Sequence, residues 1–174
     1  MTAAAIRTGV PADHDAIAAL YREAFPEEDL LPLLCGLLAG DGVLSLVAAG
    51  DDERVVGHVA FTDCAVAGDT ARAALLGPLA VAGERQGRGI GSALVRAGLD
   101  RLAAAGPVRV FVLGDPTYYA RFGFAPEAGI ASPYPLPGEW AGAWQSLALG
   151  GAGPAPSGRL SVPPVWDDPA LWAA

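Results

Sequence analysis

Ala73-Ala74-Leu75-Leu76-Gly77-Pro78-Leu79-Ala80-Val81, followed after four intervening residues by Gln86-Gly87-Arg88-Gly89-Ile90-Gly91-Ser92, decides the fold of this 174-residue chain. The first run has the length and composition of a buried strand, and Ile90 to Ala105 has the period of a helix, so the junction is strand, short loop, helix. The first N–H groups of such a helix have no intrahelical acceptor and together carry about half a positive charge, which attracts phosphate oxygens. Glycines at 87, 89 and 91 let an anion approach the backbone closely, and Arg88 can add a charge-assisted contact. Two familiar phosphate loops do not fit. A GxGxxG turn read from Gly87 needs glycine at 92, where Ser92 stands, and a P-loop needs lysine, whereas all 11 basic residues are arginine. The lack of lysine also excludes lysine Schiff-base chemistry.

Outward from this junction the chain reads as alternating elements. Ala3 to Thr8 is an opening strand. A helix starts at Pro11-Ala12-Asp13-His14-Asp15 and carries an apolar stripe of Ile17, Leu20, Tyr21, Ala24 and Phe25 until Pro26 ends it. Leu30 to Leu38 is a second short helix. Leu44 to Ala49 and Arg54 to Asp63 are strands joined by the turn signal Gly50-Asp51-Asp52-Glu53, and with Ala73 to Val81 they make an antiparallel meander. On the helix after the glycine-rich loop, Ile90, Leu94, Gly98 and Leu102 share one side, with Ser92, Arg96 and Asp100 on the other. Gly98 there implies close packing, because glycine costs about 1 kcal/mol relative to alanine in a helix. Val108 to Leu113 is a strand whose helical crossover favours parallel pairing with Ala73 to Val81. From Pro126 onward the chain holds nine of its 15 prolines and all four tryptophans. Gln145 to Leu149 fits another strand, and Gly150 to Gly158 an exposed loop. Trp140, Trp144, Trp166 and Trp172 either cap an edge of the core or line an acceptor pocket.

Composition bounds the function. The length suits a single domain over residues 1–174, with a core at about 3–150 and a Pro/Trp-rich extension at about 151–174. No apolar run reaches the roughly 18 to 20 residues that span a bilayer, and Met1 to Thr8 lacks the apolar centre of a secretory signal. Cys35 and Cys64 stand apart, and with two histidines there is no metal-ligand pattern; a reduced, cytoplasmic setting is expected. A net charge of -8 and 19 acidic residues disfavour nucleic acid as a partner and mildly favour cationic ones.

The spacing Gln86-x-x-Gly89-x-Gly91 resembles the acyl-coenzyme A signature of the GNAT acetyltransferase superfamily. A second block, Val112-Leu113-Gly114-Asp115-Pro116-Thr117-Tyr118-Tyr119-Ala120-Arg121-Phe122-Gly123-Phe124, is similar to that superfamily's last helix and strand in the form of its YhbS-like branch. The resemblance covers about Ile6 to Phe124. It implies an α/β fold in which a mixed, mostly antiparallel central sheet is flanked by helices and a splayed parallel strand pair binds coenzyme A. It also implies that acetyl-coenzyme A is the acyl donor, with no metal, and an amine is the acceptor; a homodimer is compatible with it. Carried onto this chain, the backbone of Leu79, Ala80 and Val81 would pair with the pantetheine arm, and Gln86, Gly87, Arg88, Gly89, Ile90, Gly91 and Ser92 would hold the pyrophosphate. Pro78 suits an interrupted strand edge.

Tyr119, four positions before Gly123, matches the superfamily's acid, and Tyr118 is its rival. A thiol has a pKa of about 8.5 and a phenol about 10, so unassisted proton transfer from tyrosine to a thiolate is uphill by roughly 2 kcal/mol, small beside an enzymatic barrier reduction of about 8 kcal/mol or more. Asp115, Glu84, Asp63, His58 and a relayed water are candidates for the base; His58 lies within a strand and suits a packing role. The superfamily's usual asparagine is replaced at Asp115-Pro116, where Asp115 can cap the following helix. A non-catalytic acyl-coenzyme A sensor and an interaction domain without cofactor are the competing readings.

Overall fold

The computed structural model describes residues 3–154 and 157–173. These fall into two compact units: the chain up to Phe61 with Gly77–Asp100, and Thr62–Leu76 with the chain from Arg101 onward.

The first unit opens with β1 (Ala5–Thr8) and a 3-10 turn (Pro11–Asp13) leading into α1 (His14–Ala24). Asp13 fastens that entry. Its carboxylate accepts from both terminal nitrogens of Arg7 at 2.7 and 2.9 Å and from the Val10 N–H at 2.8 Å. Of the expected stripe, Ile17, Leu20 and Tyr21 are buried, and α2 (Leu31–Ala39) buries Leu33, Leu34 and Leu37. Then β2 (Val43–Ala49) pairs antiparallel with β1, from Ala5↔Ala49 to Thr8↔Leu46. After the turn at 50–53, where Glu53 donates to the Gly50 carbonyl at 2.9 Å, β3 (Val55–Val66) begins. It runs three residues beyond the Asp63 expected from sequence, because its far end finds a partner late in the chain.

The same unit holds the end of β4 (Ala73–Val81) and most of α3 (Ile90–Ala104). The helix lies close to β3 where two glycines remove bulk. A Cβ on Gly57 would stand 2.9 Å from Leu94 Cδ1 and 3.0 Å from Ile90 Cγ2, and one on Gly98 would collide with the Phe61 ring. The helix propensity that Gly98 gives up is therefore spent on close approach to the sheet.

The second unit contains β5 (Val108–Leu113), α4 (Pro116–Tyr119) continued by a 3-10 turn (Ala120–Phe122), β6 (Ala125–Pro126), β7 (Ile130–Ala131), β8 (Trp144–Leu149) and β9 (Gly158–Ser161). β5 runs parallel to the first half of β4, from Ala73↔Arg109 to Leu76↔Val112, as a strand reached through a crossover helix should. β8 runs antiparallel to β5 from Val108↔Leu149 to Leu113↔Trp144 and also pairs with β6, while β9 pairs with the end of β3 and with β7. The hydrogen-bonded order is β1-β2-β3-β4-β5-β8-β6, a mixed, mostly antiparallel sheet flanked by helices with β4 and β5 as its parallel pair.

Three of the four tryptophans are buried in this unit's interior. Trp144 donates to the Ile130 carbonyl at 2.8 Å, Trp166 to Thr62 Oγ1 at 3.1 Å and Trp172 to the Trp166 carbonyl at 3.1 Å. With each ring packed and each N–H satisfied, these three indoles are core, and Trp140 alone is half-exposed. The expected loop at 150–158 gives way to β9 at Gly158, and its residues Ala155 and Pro156 lie outside the described ones.

Candidate active site

The loop at the head of α3 has the backbone that an anion needs. Gly87 and Gly89 sit at φ 72° and 81°, in the left-handed region that side chains resist, and no atom lies within 4 Å of where a Cβ would stand on either. Residues 86–89 are exposed and 90–92 half-buried. The helix starts at once, Ala93 donating to the Gly89 carbonyl at 2.9 Å, so the positive end of its dipole faces the loop. Gln86 has a task that sequence did not indicate: its side-chain amide donates to the Val81 carbonyl at 3.1 Å, tying the loop to the end of β4.

Within β4 the pairing to β5 stops at Leu76↔Val112, just before Gly77 (φ 140°) and Pro78. Beyond it Ala80 is buried, whereas Leu79 and Val81 are half-exposed. Strand alternation gives Leu79 and Val81 one face together and places Ala80 on the other.

In the second unit, Asp115 caps α4 by accepting from the Thr117 N–H at 2.8 Å. Tyr118 and Tyr119 point in different directions, their ring planes 85° apart with centroids at 5.0 Å. The Tyr118 face carries the Arg121 guanidinium at 4.3 Å. Tyr119 packs edge-on to Phe124 at 5.8 Å, and Gly114 makes room for its ring, since a Cβ there would come within 2.5 Å of it. Burial, with a smaller push from Tyr118, raises the Tyr119 phenol above its ordinary value and keeps it protonated.

The candidates for a base separate. His58 is fully buried, its Nδ1 2.8 Å from the Tyr21 hydroxyl and its Nε2 2.9 Å from Ser45 Oγ, and burial, aided by His14, lowers its pKa to about 4. A group that weakly basic is about 6 units short of an alkylammonium near 10, a gap of about 8 kcal/mol, so His58 is a core residue, as its strand position suggested. Asp115 is engaged as a cap and Glu84 pairs with Arg54 at 3.5 Å, while Asp63 is exposed on β3. Among the described residues no cluster of three His, Cys, Asp or Glu could hold a metal, and no helix is long and apolar enough to cross a membrane.

Comparison with known proteins fits this geometry. Residues 14–124 match the Acetyltransferase (GNAT) family. The uncharacterized N-acetyltransferase YhbS of Escherichia coli K12 is 39% identical over 139 residues, covering 79% of this chain and 80% of that protein. Its counterpart YjhQ is 39% identical over 128 residues, 71% and 70% of the two chains. The crystal structure of Escherichia coli YhbS in complex with CoA superposes with a TM-score of 0.82 at 31% identity, covering 97% of this chain and 94% of that one. A GNAT family acetyltransferase from Brucella melitensis in complex with acetyl-CoA gives 0.76 at 32% identity, covering 94% and 97%. The chain belongs to the GNAT acetyltransferase family and is an enzyme of the N-acetyltransferase class.

Proposed function

We propose that the protein transfers the acetyl group of acetyl-coenzyme A to a primary amine of a small molecule or protein, and that residues 1–174 act as one N-acetyltransferase domain. The observation that carries the reading is the pair of left-handed glycines, Gly87 and Gly89, open at the Cβ positions and set at the positive end of α3. A pyrophosphate fits there: backbone N–H groups of residues 87–92 and the Arg88 guanidinium supply donors for its oxygens. The segment Leu79–Val81, half-exposed at Leu79 and Val81, follows the point where pairing to β5 ends, which suits backbone hydrogen bonds to a pantetheine amide.

Transfer requires the neutral amine nitrogen to attack the thioester carbonyl carbon, the C–S bond to break, and a proton to reach the departing sulfur. Tyr119 is the donor in this reading. Its raised pKa keeps the proton in place until sulfur develops charge, and a thiolate released away from water has its own pKa raised for the same reason. The amine's surplus proton leaves to a relayed water or to Asp63, a candidate carboxylate exposed on β3. The two free cysteines support a reducing, cytoplasmic setting.

Thermal melting with and without acetyl-coenzyme A tests the donor. A rise in melting temperature at saturating ligand is expected, and no shift would reject both an enzyme and a sensor. Thiol release with an amine panel then separates those two.

A further inference from the structure

Gln145 is a polar residue in an apolar place. It stands on β8 opposite Val112 of β5, so strand alternation turns its side chain to the face shared with Val112 and Leu147, and only 1% of it is exposed. A buried amide is unfavourable unless its hydrogens find acceptors, and both do. Nε2 donates to the Gly114 carbonyl at 3.1 Å and to the Ala143 carbonyl at 3.3 Å. The register of β5 with β8 ends one residue before Gly114, at Leu113↔Trp144, and the Gly114 N–H donates to the Ala143 carbonyl at 3.0 Å. The Gln145 amide is thus a rung beyond the end of the ladder, holding Gly114 by its carbonyl as the backbone holds it by its N–H.

Gly114 is the residue against which the Tyr119 ring rests. A Cβ there would lie 2.5 Å from Tyr119 Cε2 and 3.1 Å from Cδ2, while Tyr118, Phe124 and Phe122 surround the ring with centroids at 5.0, 5.8 and 6.2 Å. The chain between the two residues is short and tied, since the Asp115 carbonyl accepts from the Tyr119 N–H at 3.0 Å. A shift of Gly114 therefore reaches both the support of the ring and the turn that carries it. The hydroxyl, at the far end of the ring, moves with every tilt, and a misplacement of about 1 Å in a reacting group can cost about 10²-fold in rate. Packing alone gives no reason for an amide at this position, because an apolar side chain of the same length would meet Val112 and Leu147 without needing acceptors.

We propose that Gln145 is a positioning residue for Tyr119: its amide fixes Gly114, and through Gly114 the place of the phenol. The part this plays in the reaction rests on the reading of Tyr119 as the proton donor.

The test is a double-variant cycle followed by thiol release with acetyl-coenzyme A and the fastest amine of the panel. Gln145→Met keeps the side-chain length and removes both N–H donors. It is expected to lower kcat about tenfold while KM for acetyl-coenzyme A changes less than about twofold. In a Tyr119→Phe background the same change should have almost no further effect, because no hydroxyl is left to misplace. Equal slowing in both backgrounds, or none in the wild type, overturns the positioning role. Normal turnover of Tyr119→Phe alone overturns the proton-donor reading instead, and with it Gln145's part in the reaction. A second measurement needs no turnover. In protein labelled with 3-fluorotyrosine, the fluorine resonance that Tyr119→Phe removes should shift or broaden in Gln145→Met, while that of Tyr134, held by Asp167 at 2.7 Å, stays in place. An unmoved Tyr119 resonance overturns the proposal even where turnover falls. Gln145→Asn, whose amide is one methylene short of Gly114, takes the place of a methionine variant that does not fold, and the same pattern is expected of it in both measurements.

Discussion

Tyr119 sits in an aromatic nest with Gly114 making space for its ring, and its phenol is held protonated by burial. Replacing it by phenylalanine removes a proton donor and keeps the ring. Tyr119→Phe is therefore expected to slow coenzyme A thiol release about 10²-fold or more while leaving the acetyl-coenzyme A melting shift intact. Normal turnover in that variant would remove Tyr119 from the mechanism. Because its pKa is raised, Tyr119 itself should cause no loss of activity as pH rises toward 10. His58 works in the opposite direction and on stability. Its pKa falls from about 6.5 unfolded to about 4 folded, so its contribution is fully present above pH 6.5 and is lost as pH drops through that window, about 3 kcal/mol in total. Denaturant titrations at pH 7, 5.5 and 4 should show a steeper decline for the wild type than for His58→Gln; parallel declines would contradict this account. Asp13 acts lower, its pKa held at about 2 chiefly by the Arg7 hydrogen bonds, and its contribution fades only below pH 4.

At the scale of elements, α3 shows how packing overrides propensity. Gly98→Ala gains about 1 kcal/mol of helix propensity, yet its methyl would collide with Phe61 on β3, and overpacking of this kind costs about 1 to 3 kcal/mol. A net loss of stability is expected in chemical denaturation, relieved by the second change Phe61→Leu. A stabilised Gly98→Ala would show that the helix is not so close to the sheet. Sequence already pointed to this contact, since a glycine on the apolar side of a helix needs a reason. The bounds of β4 and the start of α3 were equally legible, because an apolar run, a glycine-rich loop and a helical period follow one another without ambiguity. Less legible were the tie from Gln86 to the Val81 carbonyl and the exposures of Leu79 and Val81. Both depend on where β4 loses its partner strand, which no local pattern records.

On the scale of the whole molecule, the segment beyond residue 150 is more than an extension. Leu160, Trp166 and Trp172 are buried, and β9 supplies the partner that lengthens β3. Trp172→Ala is expected to cost about 3 to 5 kcal/mol, seen as an earlier denaturation midpoint; a shift under 1 kcal/mol would contradict the burial. The sequence hid this because two-residue strands such as β6 and β7, and a strand begun by Gly158 in a Pro/Gly-rich stretch, carry no periodicity and exist only through distant pairing. Tryptophan content hinted at the packing without saying what it packed on. The open, left-handed backbone at Gly87 and Gly89 was readable in the same sequence, because glycine spacing reports backbone directly. The central claim is tested most directly by mixing the protein with acetyl-coenzyme A and each member of a panel of primary amines and following free thiol and acetylated amine together. Equal, protein-dependent formation of the two is expected with at least one amine; a wild-type protein that binds acetyl-coenzyme A yet forms neither product with any amine of the panel would contradict it.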